Sequence, residues 1–205
     1  MSQPIYKLFL VHSLTEAYYQ LSEEDNKKFW ADVTANTDAA GAKYLVTADA
    51  HWCNEAYGIW GIEEYADIQA VQKDAAGHEK IQQTRYIKAE SILGTLLEGF
   101  EVATVAFPNP VYELWLVKNQ ANEAWENLTS ELRDHLFALN GALIDKHGGV
   151  NVIICETNWS NEEYSYFGVT AWPGLEAEQA HERELAKIHW HRYMYAKKIL
   201  GTPVP

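Results

Sequence analysis

The sequence predicts an α+β chain made of two like halves, and three observations carry that expectation. Residues 41–95 align with 148–202 at a constant shift of 107 without a gap, and 17 of the 55 paired positions are identical. Within that stretch WCNEAYGIWGI (Trp52–Ile62) falls on WSNEEYSYFGV (Trp159–Val169), and RYIKAESILGT (Arg85–Thr95) falls on RYMYAKKILGT (Arg192–Thr202). A period this long is a small domain duplicated, because solenoid repeats run shorter. Each half also passes from short aromatic and β-branched runs into helical spacing in the same order. Finally, Pro108-Asn109-Pro110 supplies a short extended joint between residues 1–106 and 107–205.

The elements follow in order. Tyr6–His12 and Tyr112–Lys118 read as strands, with Tyr6, Leu8, Leu10 and His12 on one face and Lys7, Phe9 and Val11 on the other. Ser22 before Glu23, Glu24 and Asp25 opens a helix, since carboxylates favour the positive helix end. Phe29, Trp30 and Val33 form its stripe. In the second half, Leu128, Leu132, Leu136, Leu139 and Leu143 give the same spacing over 127–146. Gly41 and Gly148-Gly149 stop these helices. Strands Lys43–Asp49 and Tyr57–Ile62, and Val150–Glu156 and Tyr164–Val169, flank turns that carry Trp52 and Asn54, and Trp159 and Asn161. Residues 64–93, broken at Gly77, and 174–200 read as helix, ended by Gly94 and Gly201. The order per half is βαββα; Gly99–Phe107 could add a fourth strand in the first half only.

Composition excludes several classes. A hydrophobic share of 47% lets each half bury a core. Net charge is −13, with no Lys or Arg run to offset it, which disfavours phosphate backbones and anionic membranes. Nucleic acid and membrane are not expected partners. The N-terminus shows no secretory pattern, no apolar run reaches bilayer length, and Cys53 and Cys155 form no framework, so a cytoplasmic protein is expected. Eight Trp and twelve Tyr are more aromatic surface than a minimal core requires and point to a pocket for a small apolar or aromatic molecule.

An aromatic-rich βαββα half, doubled in one chain, resembles the dimeric α+β-barrel superfamily of ferredoxin-like domains. The resemblance implies two ferredoxin-like repeats pairing as an α+β barrel with helices outside, in a monomer or a homodimer. Members include cofactor-free monooxygenases, polyketide cyclases, decarboxylases, haem-degrading enzymes and stress-related proteins. The superfamily has no shared catalytic motif, so fold alone does not assign an activity.

Candidate residues come from the repeat. Positions kept in both halves serve the shared fold: Trp52/Trp159 and Asn54/Asn161 hold turns, and Glu55/Arg85 and Glu162/Arg192 could pair as ions. Positions that differ are free to specialise, and the histidines differ. His12 pairs with Lys118, His51 with Asn158, His189 with Gln82 and His191 with Thr84. His12 and His51 are candidate proton acceptors, with Tyr57 and Tyr164 as hydrogen-bond donors. Phe9, Trp60, Trp115 and Tyr166 are candidate substrate walls. Metal-ligand spacing is absent: His189 and His191 point apart on a helix.

The leading expectation is a cofactor-free enzyme performing cyclisation, decarboxylation or oxygenation of an aromatic or polyketide-like substrate by His/Tyr acid–base chemistry. One alternative is a non-enzymatic ligand-binding or stress-related protein. Another is a haem-binding or haem-processing protein, with His189 or His191 as axial ligand.

Overall fold

A computed structural model describes residues 3–119 and 122–204. The chain divides into two compact units, residues 3–96 with Val204, and residues 97–203.

Unit 1 runs β1 (Ile5–Leu14), a one-turn helix α1 (Glu16–Tyr19), α2 (Glu23–Ala39), β2 (Lys43–Asp49), β3 (Ile59–Tyr65), α3 (Ile68–Lys80), α4 (Gln83–Tyr86) and β4 (Ile87–Leu96). Its strands pair antiparallel, β2 with β3, β3 with β1 and β1 with β4. Unit 2 runs β5 (Val111–Lys118), α5 (Glu123–Glu126), α6 (Ser130–Lys146), β6 (Val150–Glu156), β7 (Tyr164–Trp172), α7 (Leu175–Lys187), a 3-10 turn (Trp190–Arg192) and β8 (Ala196–Pro203). There β6 pairs with β7, β7 with β5 and β5 with β8. Each unit is therefore α+β, with the order βαββαβ.

The helix starts follow from their caps. Ser22 Oγ accepts from Asp25 N–H at 3.1 Å to open α2, Thr129 Oγ1 accepts from Leu132 N–H to open α6, and Asp67 Oδ1 accepts from Ala70 N–H to open α3. Helices α3, α6 and α7 each bring one side to a sheet. In unit 1 that packing joins Ile5, Tyr65 and Val71; in unit 2 it joins Val111, Ile144 and Trp172. On the opposite sheet face of unit 1, Leu8, Leu10, Trp60 and Ile62 are completely buried.

The structure corrects the expected helices over 64–93 and 174–200. Each ends near its midpoint and the chain then forms a strand, β4 or β8. Lys88-Ala89-Glu90 are strong helix formers, but Ile87–Gly94 lie along β1 and ladder pairing overrides local propensity. Gly94 and Gly201 are thus strand residues opposite Tyr6 and Tyr112. The fourth strand is present in both units, and Gly99–Phe107 is not a strand. Between helix and strand, Gln82 and His189 both take the left-handed conformation, at φ of 55° and 56°.

The expected ion pairs Glu55–Arg85 and Glu162–Arg192 do not form among the described residues. Arg85 lies over the Tyr86 ring and Arg192 over the Tyr193 ring. The turn asparagines do hold their turns: Asn54 Oδ1 accepts from the N–H groups of Ala56 and Tyr57, and Asn161 Oδ1 from those of Glu163 and Tyr164.

Candidate functional site

Each unit has a cavity on the helix side of its sheet, and each opens around the aromatic residue at the middle of its first strand. Phe9 in β1 lies directly across from Gly61 in β3, and Trp115 in β5 lies across from Gly168 in β7. A Cβ on Gly61 would stand 2.5 Å from the Phe9 ring, and one on Gly168 would stand 2.2 Å from the Trp115 ring. Glycine is required at both places because the ring lies against the neighbouring strand, and at Gly61 the Val46 carbonyl would stand as close, at 2.6 Å.

The unit 2 cavity has a volume of about 690 Å³, within the range of small-molecule sites. Trp115, Trp125, Phe137, Tyr166, Tyr193 and Tyr195 provide its aromatic wall. Trp115 is fixed by a relay: its Nε1–H donates to Thr170 Oγ1 at 3.2 Å, and that hydroxyl donates to Asn151 Oδ1 at 2.9 Å. Trp125 meets Phe137 edge to face at 5.4 Å, and the Arg133 guanidinium covers the Trp125 ring at 5.2 Å. Buried Asn122 ties two walls together. Its Oδ1 accepts from Ala124 and Trp125 N–H on α5, while its Nδ2 donates to the carbonyls of Arg192 and Tyr193. A register shift after Val117 sets Lys118 opposite Tyr164 and leaves Ser165 without a partner on β5, and both Lys118 and Ser165 line the cavity.

The unit 1 cavity, about 490 Å³, is lined by Phe9, Val11, Trp30 and Ile59, with His12 and His51 among its polar members. The alternation of β1 would leave His12 beside Leu8 and Leu10. Instead Val11 pairs with Ala89 and Ser13 with Lys88, so His12 is the extra residue of a β-bulge and turns to the cavity. There it meets Tyr57: the two ring centroids are 4.7 Å apart. Glu90, from β4, joins them. Tyr57 donates its hydroxyl to Glu90 Oε1 at 2.8 Å, and His12 Nε2 lies 3.6 Å from Glu90 Oε2. His51 Nδ1 lies 2.8 Å from Asp49 Oδ1.

Deeper in unit 1, Lys7 bridges Glu63 at 3.1 Å and the fully buried Asp74 at 3.0 Å. Tyr65 Oη is 2.8 Å from a carboxylate oxygen of each, and its single proton serves one at a time. Burial and the two carboxylates push the Tyr65 phenol far up. Asp74 is held well below the ordinary range: burial works against its charge, but the hydrogen bond from His78 and the Lys7 ammonium outweigh it. Unit 2 gathers three carboxylates around one ammonium. Lys198 meets Glu113 at 2.6 Å and also contacts Glu182, Trp172 Nε1–H donates to Glu113 at 2.9 Å, and buried Glu178 stands nearby on α7. Burial, with Glu113 and Glu182 adding to it, raises Glu178 to about 7 against the pull of Lys198.

The remaining sequence candidates fall in different places. Phe9 lines the unit 1 cavity, and Trp115 and Tyr166 line that of unit 2. Trp60 does not: it pairs across from Leu10 on the other sheet face. Tyr164 is buried at the start of β7. His189 and His191 line neither cavity; His189 occupies the left-handed turn position and His191 lies 3.3 Å from Glu182. The residues that sequence reading missed are Glu90 and the run Tyr193–Tyr195, all inside segments read as helix. Among the described residues no cluster of three metal-ligating side chains forms, and no helix is long and apolar enough to cross a membrane.

No protein-family model and no curated protein sequence matches the chain. Solved structures do. A chlorite dismutase from Candidatus Nitrospira defluvii, in complex with imidazole, aligns over 98% of this chain and 91% of its own, at 13% identity and a TM-score of 0.79. A tryptophan-to-phenylalanine mutant of that enzyme in complex with cyanide aligns over the same shares at 12% identity and 0.78. A haem-binding protein from Thermus thermophilus aligns over 99% of this chain and 92% of its own, at 10% identity and 0.71. At these identities the likeness shows the fold: this chain shares the ferredoxin-like α+β fold of the chlorite dismutase and the haem-binding protein.

Proposed function

We propose that unit 2 binds a planar, largely apolar aromatic ligand of the porphyrin class, haem included, between its sheet and its helices. The observation that carries this reading is the cavity of about 690 Å³ walled by six aromatic side chains. A fold neighbour named as a haem-binding protein supports haem over the cofactor-free chemistry expected from sequence.

The donor set fits such a ligand, though not through the histidines expected. His189 and His191 stand outside the cavity. His181, buried on α7, is also outside it; burial lowers its imidazole to about 4, and its ring lies 4.8 Å from that of Trp172. Inside, the Met194 thioether and the Tyr193 and Tyr195 phenols are side chains of types that ligate haem iron elsewhere. Bound haem would supply a redox-active iron. Trp115, held by Thr170, gives the ring system a flat wall. Lys118 at the strand end can take a ligand carboxylate. Burial, reinforced by Glu156, pushes the Tyr166 phenol up, so it stays protonated and acts as a hydrogen-bond donor.

Titration with haemin and, in parallel, with iron-free protoporphyrin tests this reading. Both should saturate at one per chain and quench tryptophan fluorescence. Trp115→Ala should weaken both at least about tenfold, which is about 1.4 kcal/mol. Gly141→Leu, which puts a side chain where a Cβ meets nothing within 4 Å, should block the cavity without disturbing the core. A Soret shift lost in Met194→Leu or Tyr195→Phe would assign the iron contact. Failure of both porphyrins to saturate would overturn the reading.

A further inference from the structure

We propose that the unit 1 cavity is a second site, in which His12 removes a proton from a small uncharged carbonyl compound and Glu90 is the positioning residue. This inference is independent of porphyrin binding in unit 2.

The argument begins with what the fold does not need. At the corresponding places unit 2 has Lys118 for His12, Lys197 for Glu90 and Tyr164 for Tyr57. Unit 2 builds the same strands without the cluster, so the cluster is not a condition of folding. In unit 1 the three side chains come from three separate segments, the β1 bulge, the turn before β3, and β4, and converge on one carboxylate. A carboxylate beside one imidazole nitrogen orients the ring and stabilises the imidazolium that forms when the other nitrogen takes a proton. Among the described residues, His12 Nδ1 has no hydrogen-bond partner, and the side chain is 40% exposed, which leaves it open to a ligand.

The cavity selects the substrate class. Its apolar walls include Phe9, Val11, Trp30, Ile59 and Ile87, which suit an apolar body of one or two rings. The charges at its other end are satisfied internally, since Lys7 is held by Glu63 and Asp74. Lys7 and His12 are five residues apart along β1, roughly 17 Å at the strand rise. Among the described residues of the lining, an anionic substrate would thus find no free ammonium beside the base. In the step itself a C–H bond next to the carbonyl breaks, an N–H bond forms at His12 Nδ1, and the electron pair passes into the carbonyl as an enolate. Where the substrate carries a C=C bond at the next position, the enolate is a dienolate, and return of the proton from His12 to its γ carbon completes an isomerisation that shifts the double bond into conjugation. No oxidant, metal or co-substrate enters the balance.

Nitrobenzisoxazole is a suitable probe. Loss of its ring C–H proton to a base forms a nitrile, breaks the N–O bond and releases a coloured phenolate. The protein should accelerate this elimination well beyond an equal concentration of free imidazole. His12→Ala and His12→Gln should each lower the rate about a hundredfold, the lower range of general-base contributions, with unchanged circular dichroism. Glu90→Gln should lower kcat and leave KM as it was, a split that a purely structural role would not produce. His191→Ala, which removes an exposed imidazole that lines neither cavity, should leave the rate as it was. Full activity in both His12 variants, or a wild-type rate no better than imidazole, would overturn the proposal, whatever the porphyrin titration shows.

Discussion

Glu178 should make the protein less stable as pH rises through neutrality, and replacing it should remove that penalty. The carboxyl is buried on α7, and Glu113 from β5 and Glu182 from its own helix crowd it, while Lys198 from β8 is already engaged by both. Its pKa rises from 4.5 in the unfolded chain to about 7 in the fold. Between those values the folded protein holds a proton that the unfolded chain has released, so stability falls with pH across that window. At about 1.4 kcal/mol per tenfold, the full penalty reaches about 3 kcal/mol above pH 7. Glu178→Gln keeps the size of the side chain and removes the charge. The variant should match wild type near pH 4.5 and exceed it by about 3 kcal/mol at pH 8. Urea unfolding followed by tryptophan fluorescence at half-unit pH steps measures the difference, and the slope of free energy against urea should not change. A gain that is constant with pH would show that the amide, not the charge, is responsible. A variant less stable than wild type at pH 8 would refute the reasoning outright.

Further perturbations have distinct signs. Gly168→Ala drives a methyl into the rigid Trp115 ring, with contacts from 2.2 to 2.7 Å, and should cost about 1–3 kcal/mol while reshaping the unit 2 cavity, seen as a changed tryptophan emission spectrum. Gly141→Ala, inside α6 with nothing within 4 Å of the new methyl, should instead stabilise by about 0.5–1 kcal/mol in thermal unfolding. Asp74→Asn leaves Lys7 with one carboxylate instead of two and should cost about 3–5 kcal/mol. Because the folded Asp74 is held below its ordinary 3.8, its contribution is present above that pH and lost progressively as pH falls from there through the lower folded value. The variant should therefore lack this part of the wild-type loss of stability in acid, measurable as a shallower decline of the unfolding midpoint.

The α+β class and the first two-thirds of each half were legible because they rest on patterns of period two and 3.6 and on caps such as Ser22. The last third was not. Ile87–Leu96 carries Lys, Ala, Glu and Leu, good helix formers, and only the pairing with β1 makes it a strand. That misreading hid Glu90 and Tyr193–Tyr195, which become site residues because they belong to or border strands. One signal was available: Glu90 aligns with Lys197, a charge reversal between halves beside the His12/Lys118 difference. His12 was named for its chemistry, but simple alternation put it on the wrong face, since a one-residue bulge leaves no mark in composition. His189 was named for its chemistry too, and a left-handed turn that Gln82 fills equally well accounts for its place.

The rings that lie across Gly61 and Gly168 also constrain how this chain can change over generations. A side chain cannot be gained at either glycine while the facing ring remains; at Gly168, where the three nearest atoms all belong to Trp115, it becomes harmless once that ring has been exchanged for something small, whereas at Gly61 the Val46 carbonyl at 2.6 Å still bars it. The two substitutions are thus acceptable in one order and deleterious in the other. In unit 2, the contents of the cavity and the glycine behind it must evolve as a pair, with the ring always leading. A lineage that trades its aromatic wall for a filled strand gives up the pocket first and the option of returning second.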